Sequence, residues 1–179
     1  VWGTSRDGAW VDVGGVSTQE ERVTLDVTSD TDWSDLGDRL SRNGEVNCVI
    51  NASGLLHSAR VQPERTWRTL DIEMMRAVFD VNTFGVALAI RHLAPLFPRS
   101  ERGIFASLSA RVGSIEDNRL GGWYSYRASK TAQNMLLKCA ALEARRLRPN
   151  LIFAALQPGT VDTALSRPFV KASRGKTVF

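Results

Sequence analysis

The sequence predicts an α/β fold built on a doubly wound parallel sheet with helices on both faces. Two patterns indicate this class. Short apolar runs alternate with longer amphipathic runs along the 179 residues, as expected for strands joined by crossover helices. The apolar runs are nearly continuous, which is typical of parallel strands that are covered on both sides.

The elements follow one another in a regular order. The predicted strands are residues 1–6, 22–27, 46–54, 103–109 and 151–159. The predicted helices are residues 29–44, 71–97 and 122–147. The first helix has an Asp- and Ser-rich start and a glycine stop. The second ends at Pro95 and Pro98, and the third stops before Pro149, because proline cannot continue a helix.

The composition is that of an ordinary globular protein, with 43% hydrophobic and 23% charged residues. The formal net charge of +4 comes from 23 Lys and Arg against 19 Asp and Glu. The basic residues are scattered, with small clusters at positions 145–148 and 171–176 and without interleaved aromatic side chains. Nucleic acid is therefore not predicted as a partner. No uncharged apolar run approaches the ~18 residues of a membrane span, so no membrane association is predicted.

The cysteines and histidines indicate neither a disulfide nor a metal site. Cys48 and Cys139 lie in apolar surroundings and are predicted to be buried thiols. His57 and His92 form no ligand spacing, so no metal is predicted. Nothing at the start of the sequence looks like a signal peptide, and the expected location is the reducing cytoplasm.

The first chemical signal is the segment "YSYRASK" at residues 124–130. Tyr126 and Lys130 are four residues apart on a predicted helix, so both side chains lie on one face. A free tyrosine has a pKa near ~10, and a nearby ammonium lowers it. The pair is a candidate general acid/base. The alternative is a surface tyrosine above a surface lysine, since the spacing alone is a weak motif.

Three further features strengthen the functional interpretation. The segment "SLSARVGS" at residues 107–114 supplies hydroxyls at the end of a predicted strand, where α/β sheets place ligands. Asn82 lies among apolar residues on the core-facing side of the second helix. It is interpreted either as a satisfied core amide or as a group that bends the helix and holds a water. The turn "QPGTVDT" at residues 157–163 offers backbone groups and the Thr163 hydroxyl to a flat amide ligand.

Taken together, the motifs resemble the short-chain dehydrogenase/reductase family. The matching segments are "LDVTS" at 25–29, "NASG" at 51–54, "VNTFG" at 81–85, "YSYRASK" at 124–130 and "QPGTVDT" at 157–163. Their order and separation are more specific than any one of them, and the likeness covers residues 1 to about 165. Within the family, residues 110–130 look most similar to the C-factor and sniffer-type carbonyl reductases. The resemblance implies a Rossmann-like fold.

The resemblance also implies roles in hydride transfer between a nicotinamide and a carbonyl or alcohol substrate. Tyr126 would exchange a proton with the substrate oxygen, and Lys130 would lower the pKa of Tyr126 and bind the nicotinamide ribose. Ser109 would orient the carbonyl and Asn82 would anchor a proton-relay water. The residues implied to line the cofactor are Asp26, Val27, Asn51, Ala52, Gly54, Tyr126, Lys130, Pro158, Gly159, Val161 and Thr163.

The expected cofactor is NADP(H) rather than NAD(H). The strand at residues 1–6 ends in Arg6, and no carboxylate stands at its tip. A guanidinium suits the 2′-phosphate of NADP, whereas an acidic residue suits the ribose of NAD. Asp7 follows directly and keeps NAD(H) open as the alternative.

The likeness departs from the family pattern at three places. No TGxxxGxG phosphate loop occurs in the printed sequence, and residues 1–6 resemble the family's second strand. The C-terminal part that carries the substrate lid is short. We therefore interpret residues 1–179 as a single, partial domain that is incomplete at both ends. The usual position of the active serine is Ala110, which leaves Ser109 as the first candidate and Ser114 as the second.

Two functions remain open from the sequence. The first is a reductase that acts on a small-molecule carbonyl or alcohol. The second is a non-catalytic relative that acts in signalling or as an interaction scaffold. The helices at 71–97 and 122–147 are apolar over more than one stripe, with Met135 and Leu142 lying off the Tyr126 face. A homodimer or homotetramer is therefore expected.

Overall fold

The computed structural model describes residues 1–8 and 21–169. The predicted tail at residues 170–179 lies outside the described residues. The strands are β1 (Trp2–Ser5), β2 (Glu21–Thr24), β3 (Cys48–Asn51), β4 (Gly103–Leu108) and β5 (Leu151–Leu156). The helices are α1 (Asp30–Arg42), α2 (Ile72–Phe79), α3 (Gly85–Leu93) and α4 (Tyr124–Leu147). All five predicted strands and all three predicted helical regions are confirmed, with boundaries that differ by a few residues.

The strands form two parallel sheets. β1 pairs with β2, and the second sheet has the order β3-β4-β5. Every pair is parallel, as the alternation of strands and helices predicts. The carboxyl ends of the strands in each sheet therefore lie along one edge, where the candidate site residues follow them. The predicted α/β fold class is confirmed.

The local sequence explains where the helices begin. The side chain of Ser29 accepts a hydrogen bond from the Asp32 amide at the start of α1, and Asp71 does the same for Met74 at the start of α2. Between α2 and α3 the chain makes a π-helical turn over Asp80–Phe84 without leaving the helical path. Such a turn is rare and often marks a functional position.

One hydrophobic core connects both sheets with the helices. Leu25 follows β2 and packs with Trp33 and Leu36 of α1, and Phe105 of β4 packs in the same cluster with Leu137 of α4. A β-carbon built on Gly85 would lie 2.9 Å from the Val27 carbonyl oxygen, so only glycine allows α3 to approach the end of β2 this closely.

The opposite face of the three-stranded sheet is largely exposed. Ile50, Ile104 and Ile152 are 67%, 40% and 41% exposed, whereas Phe105 is fully buried. Cys48 lies on this outer face and Cys139 lies on the outer side of α4, and both are exposed. The prediction that both thiols are buried is wrong. Their neighbours along the sequence are apolar, but neither side chain points to the core.

The stretch Ile72–Leu96 is 25 residues long and apolar enough, by length and composition alone, to cross a membrane. Core helices of globular proteins share this property. Here the stretch includes α3, whose residues Val86 and Ala89 are fully buried in the core.

Candidate active site

The buried face of α4 carries most of the candidate site. Tyr126, Ser129, Lys130 and Gln133 follow one another at helical spacing and are 8%, 0%, 3% and 0% exposed. The Nζ atom of Lys130 lies 5.9 Å from the centroid of the Tyr126 ring. Tyr126 and Lys130 therefore share one buried face, as their spacing predicts.

Lys130 is held by the end of β4 and by its own helix. Its Nζ atom donates to the Leu108 carbonyl oxygen at 2.8 Å and to Gln133 Oε1 at 2.9 Å. Burial lowers the pKa of Lys130 from 10.5 to about 8, because removal of water disfavours the ammonium. The amine is still mainly protonated at neutral pH.

Tyr126 does not have the lowered pKa that the sequence argument expects. Burial raises the pKa of the phenol above its ordinary value. The physical reason is that a buried phenolate loses its hydration. The Lys130 ammonium donates two of its hydrogens to Leu108 and Gln133. The phenol consequently keeps its proton at neutral pH, which is the state required of a general acid.

Asn82 lies at the centre of the π-helical turn and is fully buried. Its Nδ2 atom donates to the Leu55 carbonyl oxygen at 2.9 Å and to Ser129 Oγ at 3.0 Å, and its Oδ1 atom accepts from the Leu55 amide at 2.7 Å. Ser129 Oγ in turn donates to the Tyr126 carbonyl oxygen at 2.9 Å. Both amide hydrogens of Asn82 are thus used to join the loop after β3 to the helix that carries Tyr126. Of the two interpretations from the sequence, these hydrogen bonds fit the satisfied core amide.

The end of β3 carries an unused donor, and the loop after it leaves room beside Lys130. Asn51 is 8% exposed, and its buried Nδ2 atom has no hydrogen-bond partner among the described residues. Ala52 and Gly54 follow at the exposed edge. A β-carbon built on Gly54 would lie 3.8 Å from both Asn82 Oδ1 and Lys130 Nζ. An unused donor at the end of β3 and a position without a side chain in the loop that follows fit the polar edge of a bound nicotinamide nucleotide.

The two candidate serines lie in a different place. Ser109 Oγ donates to Asn134 Oδ1 at 2.7 Å, and Ser114 Oγ accepts from the Asp117 amide at 3.3 Å. Both serines line a cavity of about 500 Å³ whose lining does not include Tyr126 or Lys130. Asn134 is eight residues after Tyr126, about 12 Å along the helix axis. The Ser109 hydroxyl is therefore bonded to a residue about two helical turns beyond the phenol that it was expected to assist.

Three candidate cofactor residues lie at the end of the two-stranded sheet. Arg6 is exposed directly after β1. One carboxylate oxygen of Asp26 accepts from the Thr28 amide at 2.9 Å and from the Thr28 hydroxyl at 2.8 Å. The Val27 carbonyl oxygen accepts from Trp33 Nε1 at 2.9 Å. The Asp26 and Val27 groups thus shape the turn into α1.

The turn after β5 is exposed, as its sequence predicts. Pro158, Gly159, Val161 and Thr163 all lie at the surface, and Gly159 has a left-handed φ of +79°. The segment that follows returns to α4, where the ring of Phe169 contacts that of Trp123 at 5.1 Å between centroids. Trp123 in turn lies edge-on to Tyr126 at 6.2 Å. An aromatic wall therefore stands beside the phenol.

Sequence reasoning missed three residues that hold this site together. Gln133 follows Tyr126 by seven positions and Lys130 by three, a same-face spacing that could have identified it. Ser129 lies within the quoted motif and was not singled out. Glu64 gives no local signal: it lies 61 residues before Ser125 and accepts hydrogen bonds from that residue's amide at 3.2 Å and from its hydroxyl. It therefore caps α4 from a distant loop.

Comparison with known proteins agrees with this geometry. The family described as "short chain dehydrogenase" matches residues 11–174. A 1-hydroxy-2-glutathionyl-2-methyl-3-butene dehydrogenase from Rhodococcus sp. (strain AD45) is 30% identical over 164 residues, which are 91% of this chain and 67% of the relative. The C-signal protein of Myxococcus xanthus is 30% identical over 132 residues, which are 70% of this chain and 71% of that protein.

The fold is also similar to that of a solved structure. A short-chain dehydrogenase/reductase of Burkholderia multivorans with bound NADP superimposes with a TM-score of 0.72 at 27% identity, covering 85% of this chain and 62% of the other. The chain spans 55% of the length of another relative, the L-fucose dehydrogenase of Mus musculus, which is 32% identical. The parallel sheets, the Tyr126 and Lys130 pair and the family match over residues 11–174 agree, and the chain belongs to the short-chain dehydrogenase/reductase family.

Proposed function

We propose that the chain is the catalytic part of an NADP(H)-dependent reductase that acts on a carbonyl substrate, with Tyr126 as the general acid. The main support for this proposal is the buried face of α4 that holds Tyr126 and Lys130. On this face the Lys130 Nζ atom lies 5.9 Å from the centroid of the Tyr126 ring, and a β-carbon at the open position Gly54 would lie 3.8 Å from the same Nζ atom. A purely structural helix face has no need to bury a lysine at 3% exposure, since an isolated buried charge is costly.

The chain's own residues position and protonate the substrate. The nicotinamide, when bound, supplies the hydride. Asn51 Nδ2 has no partner among the described residues and is the proposed donor to the nucleotide. The third hydrogen of Lys130 Nζ, which neither Leu108 nor Gln133 accepts, is the proposed donor to the ribose hydroxyls. Tyr126 keeps its proton at neutral pH because burial raises the pKa of its phenol, and it donates that proton to the carbonyl oxygen. Trp123 and Phe169 limit access of water from one side.

NADP(H) is the proposed cofactor because Arg6 is exposed at the end of β1, where a guanidinium can meet a 2′-phosphate. The structural relative from Burkholderia multivorans was solved with bound NADP. Arg6→Ala is expected to raise the KM for NADPH and to leave the KM for NADH nearly unchanged. Equal effects on both cofactors would contradict the proposed preference.

The test is NADPH oxidation by the full-length protein with a panel of aldehydes and ketones. Tyr126→Phe keeps the ring and removes only the hydroxyl, so it is the matched control. Loss of a general acid is expected to lower kcat/KM by about 10²–10⁴-fold. Equal turnover by wild type and Tyr126→Phe would remove the proposed acid.

A non-catalytic role in signalling or as an interaction scaffold remains the second candidate. It is favoured by the Ser109 hydroxyl, which is bonded to Asn134 and not to Tyr126. On this alternative no carbonyl in the panel is reduced, and Tyr126→Phe changes nothing.

We also propose self-association through the helices. Phe84, Met135 and Leu142 are 53%, 63% and 47% exposed, and apolar side chains at this exposure favour a protein contact. Light scattering on the full-length protein is expected to give a dimer or tetramer, and a clean monomer would contradict this. A cytoplasmic location stays a prediction from the sequence.

A further inference from the structure

Gln133 is a buried side chain next to Lys130, and both polar atoms of its amide are hydrogen-bonded. It is fully buried in α4. Its Nε2 atom donates to Ser107 Oγ at 3.0 Å and to the Leu108 carbonyl oxygen at 3.1 Å, while its Oε1 atom accepts from Lys130 Nζ at 2.9 Å. The amide is therefore fixed to β4 at one end and presents its oxygen to the ammonium at the other.

This geometry gives Lys130 a defined position. Its ammonium donates to Leu108 and to Gln133, which leaves one of its three hydrogens for a ligand. Since the amide plane is locked by two bonds to β4, Gln133 Oε1 cannot turn away from the amine without breaking them. The aliphatic stem is confined as well, because Gly113 packs against Lys130 so closely that a β-carbon there would lie 3.0 Å from Lys130 Cβ.

We propose that Gln133 is a positioning residue that holds the Lys130 ammonium at the end of β4 and keeps it charged beside Tyr126. The role rests on the proposed function, because it acts through Lys130 on the phenol and the nucleotide site. Gln133 itself lies behind Lys130 on the helix, one turn further from Tyr126, and is not a catalytic residue. Its side chain supplies a neutral, immobile acceptor, which stabilises the ammonium without cancelling its charge.

The surroundings of Lys130 contain few other ionisable groups. Tyr126 is on the same helix, Asp80 is on the π-helical turn, and Arg111 is on the turn after β4, paired with Asp117. The lowered pKa of Lys130 has burial as its cause. Since Gln133 Oε1 accepts a hydrogen bond from the ammonium, it favours the charged form of Lys130, and its removal has a predictable direction.

The test compares two substitutions that act in opposite directions. Gln133→Leu removes the acceptor at similar volume, and the pKa of Lys130 is expected to fall by about one unit below its wild-type value. Gln133→Glu places a carboxylate at the same distance, and the pKa of Lys130 is expected to rise by about one unit or more. Gln62→Leu makes the same chemical change at an exposed glutamine and is the matched control.

The readout is an NMR pH titration of the full-length protein labelled with ¹³C-lysine, with the Lys130 signal assigned by its loss in Lys130→Met. A residue that only fills space would lower the melting temperature in both variants without moving the Lys130 titration in opposite directions. If Gln133→Leu does not fold, Gln133→Met replaces it. An unchanged Lys130 titration in the folded variants overturns the proposal.

The same measurement separates this proposal from the proposed function. Wild-type protein that reduces no carbonyl would refute the reductase assignment, yet the titration of Lys130 would still be readable. Conversely, if the wild type is active but the pKa of Lys130 is the same in the wild type and in the Gln133 variants, only the role of Gln133 is refuted.

Discussion

Replacement of Lys130 by methionine is expected to reveal how much stability the buried ammonium costs the fold. The side chain is 3% exposed, and burial lowers its pKa from 10.5 to about 8. At about 1.4 kcal/mol per pKa unit, a difference of this size corresponds to about 3 kcal/mol of unfavourable free energy when the amine is charged in the folded state. Methionine has a similar length and no charge, so Lys130→Met removes this contribution.

The sign of the pH dependence follows from proton binding. Between pH about 8 and 10.5 the unfolded lysine holds its proton and the folded lysine has lost it. The unfolded state then binds more protons, so the free energy of unfolding of the wild type rises with pH in this window. Relative to Lys130→Met, the wild type is expected to gain about 2.5 kcal/mol between pH 7 and pH 10.

The assay is urea denaturation followed by tryptophan fluorescence, repeated from pH 7 to pH 10 for both proteins. Comparison of the two cancels the contributions of other groups, including the Tyr126 phenol. Lys138→Met removes an exposed lysine from the same helix and controls for the loss of a charge. If the free energies of unfolding of wild type and Lys130→Met stay parallel over this range, the ammonium is not desolvated and the reasoning fails.

Two further predictions concern the support of α4. Glu64→Ala leaves the Ser125 amide and hydroxyl without their acceptor at the helix start; a loss of about 2–3 kcal/mol is expected in urea denaturation, and unchanged stability would show that water replaces the carboxylate. Gly113→Ala and Gly54→Ala form a contrasting pair. A β-carbon at Gly113 would lie 3.0 Å from Lys130 Cβ, whereas one at Gly54 has no neighbour closer than 3.8 Å. Gly113→Ala should therefore lower stability by about 1–3 kcal/mol, while Gly54→Ala should keep the melting temperature and raise the KM for NADPH; the opposite pattern would contradict the placement of the nucleotide beside Gly54.

Much of the fold could be predicted because its signals are local. Alternating apolar and amphipathic runs identified the strands and helices, and Ser29 indicated the start of α1 within one residue. The spacing of Tyr126 and Lys130 correctly placed both on one face of a helix. One of the two interpretations of Asn82 expected it to bend the helix, and Asn82 lies in a π-helical turn over Asp80–Phe84.

The electrostatics of the site could not be predicted in the same way. The sequence shows that an amine follows Tyr126 by one turn, but not that both groups lose their water on folding. Burial is a property of the whole assembly, and it raises the pKa of Tyr126 while it lowers that of Lys130. For the same reason the thiol of Cys48 was wrongly predicted to be buried. Its apolar neighbours in the sequence do not show which side of the strand faces the core.

Long-range partners were equally inaccessible to sequence reasoning. Glu64 meets Ser125 across 61 positions, and Ser109 meets Asn134 across 25. Neither pair has a repeating spacing that a one-dimensional pattern could detect. The direction of the Ser109 hydroxyl depends on how β4 and α4 pack, which is decided by the core.

The separation of the strands into two sheets has a consequence for ligand binding. Arg6 and Asp26 stand on the β1-β2 pair, whereas Asn51 and Gly54 stand on β3 and the loop after it. Side-chain packing against shared helices, rather than a continuous ladder of peptide hydrogen bonds, sets the distance between these two groups within the described residues. A ligand that bound both groups would fix the distance between the two sheets. Binding of its adenine half would then affect binding of its nicotinamide half, because neither sheet alone fixes that distance.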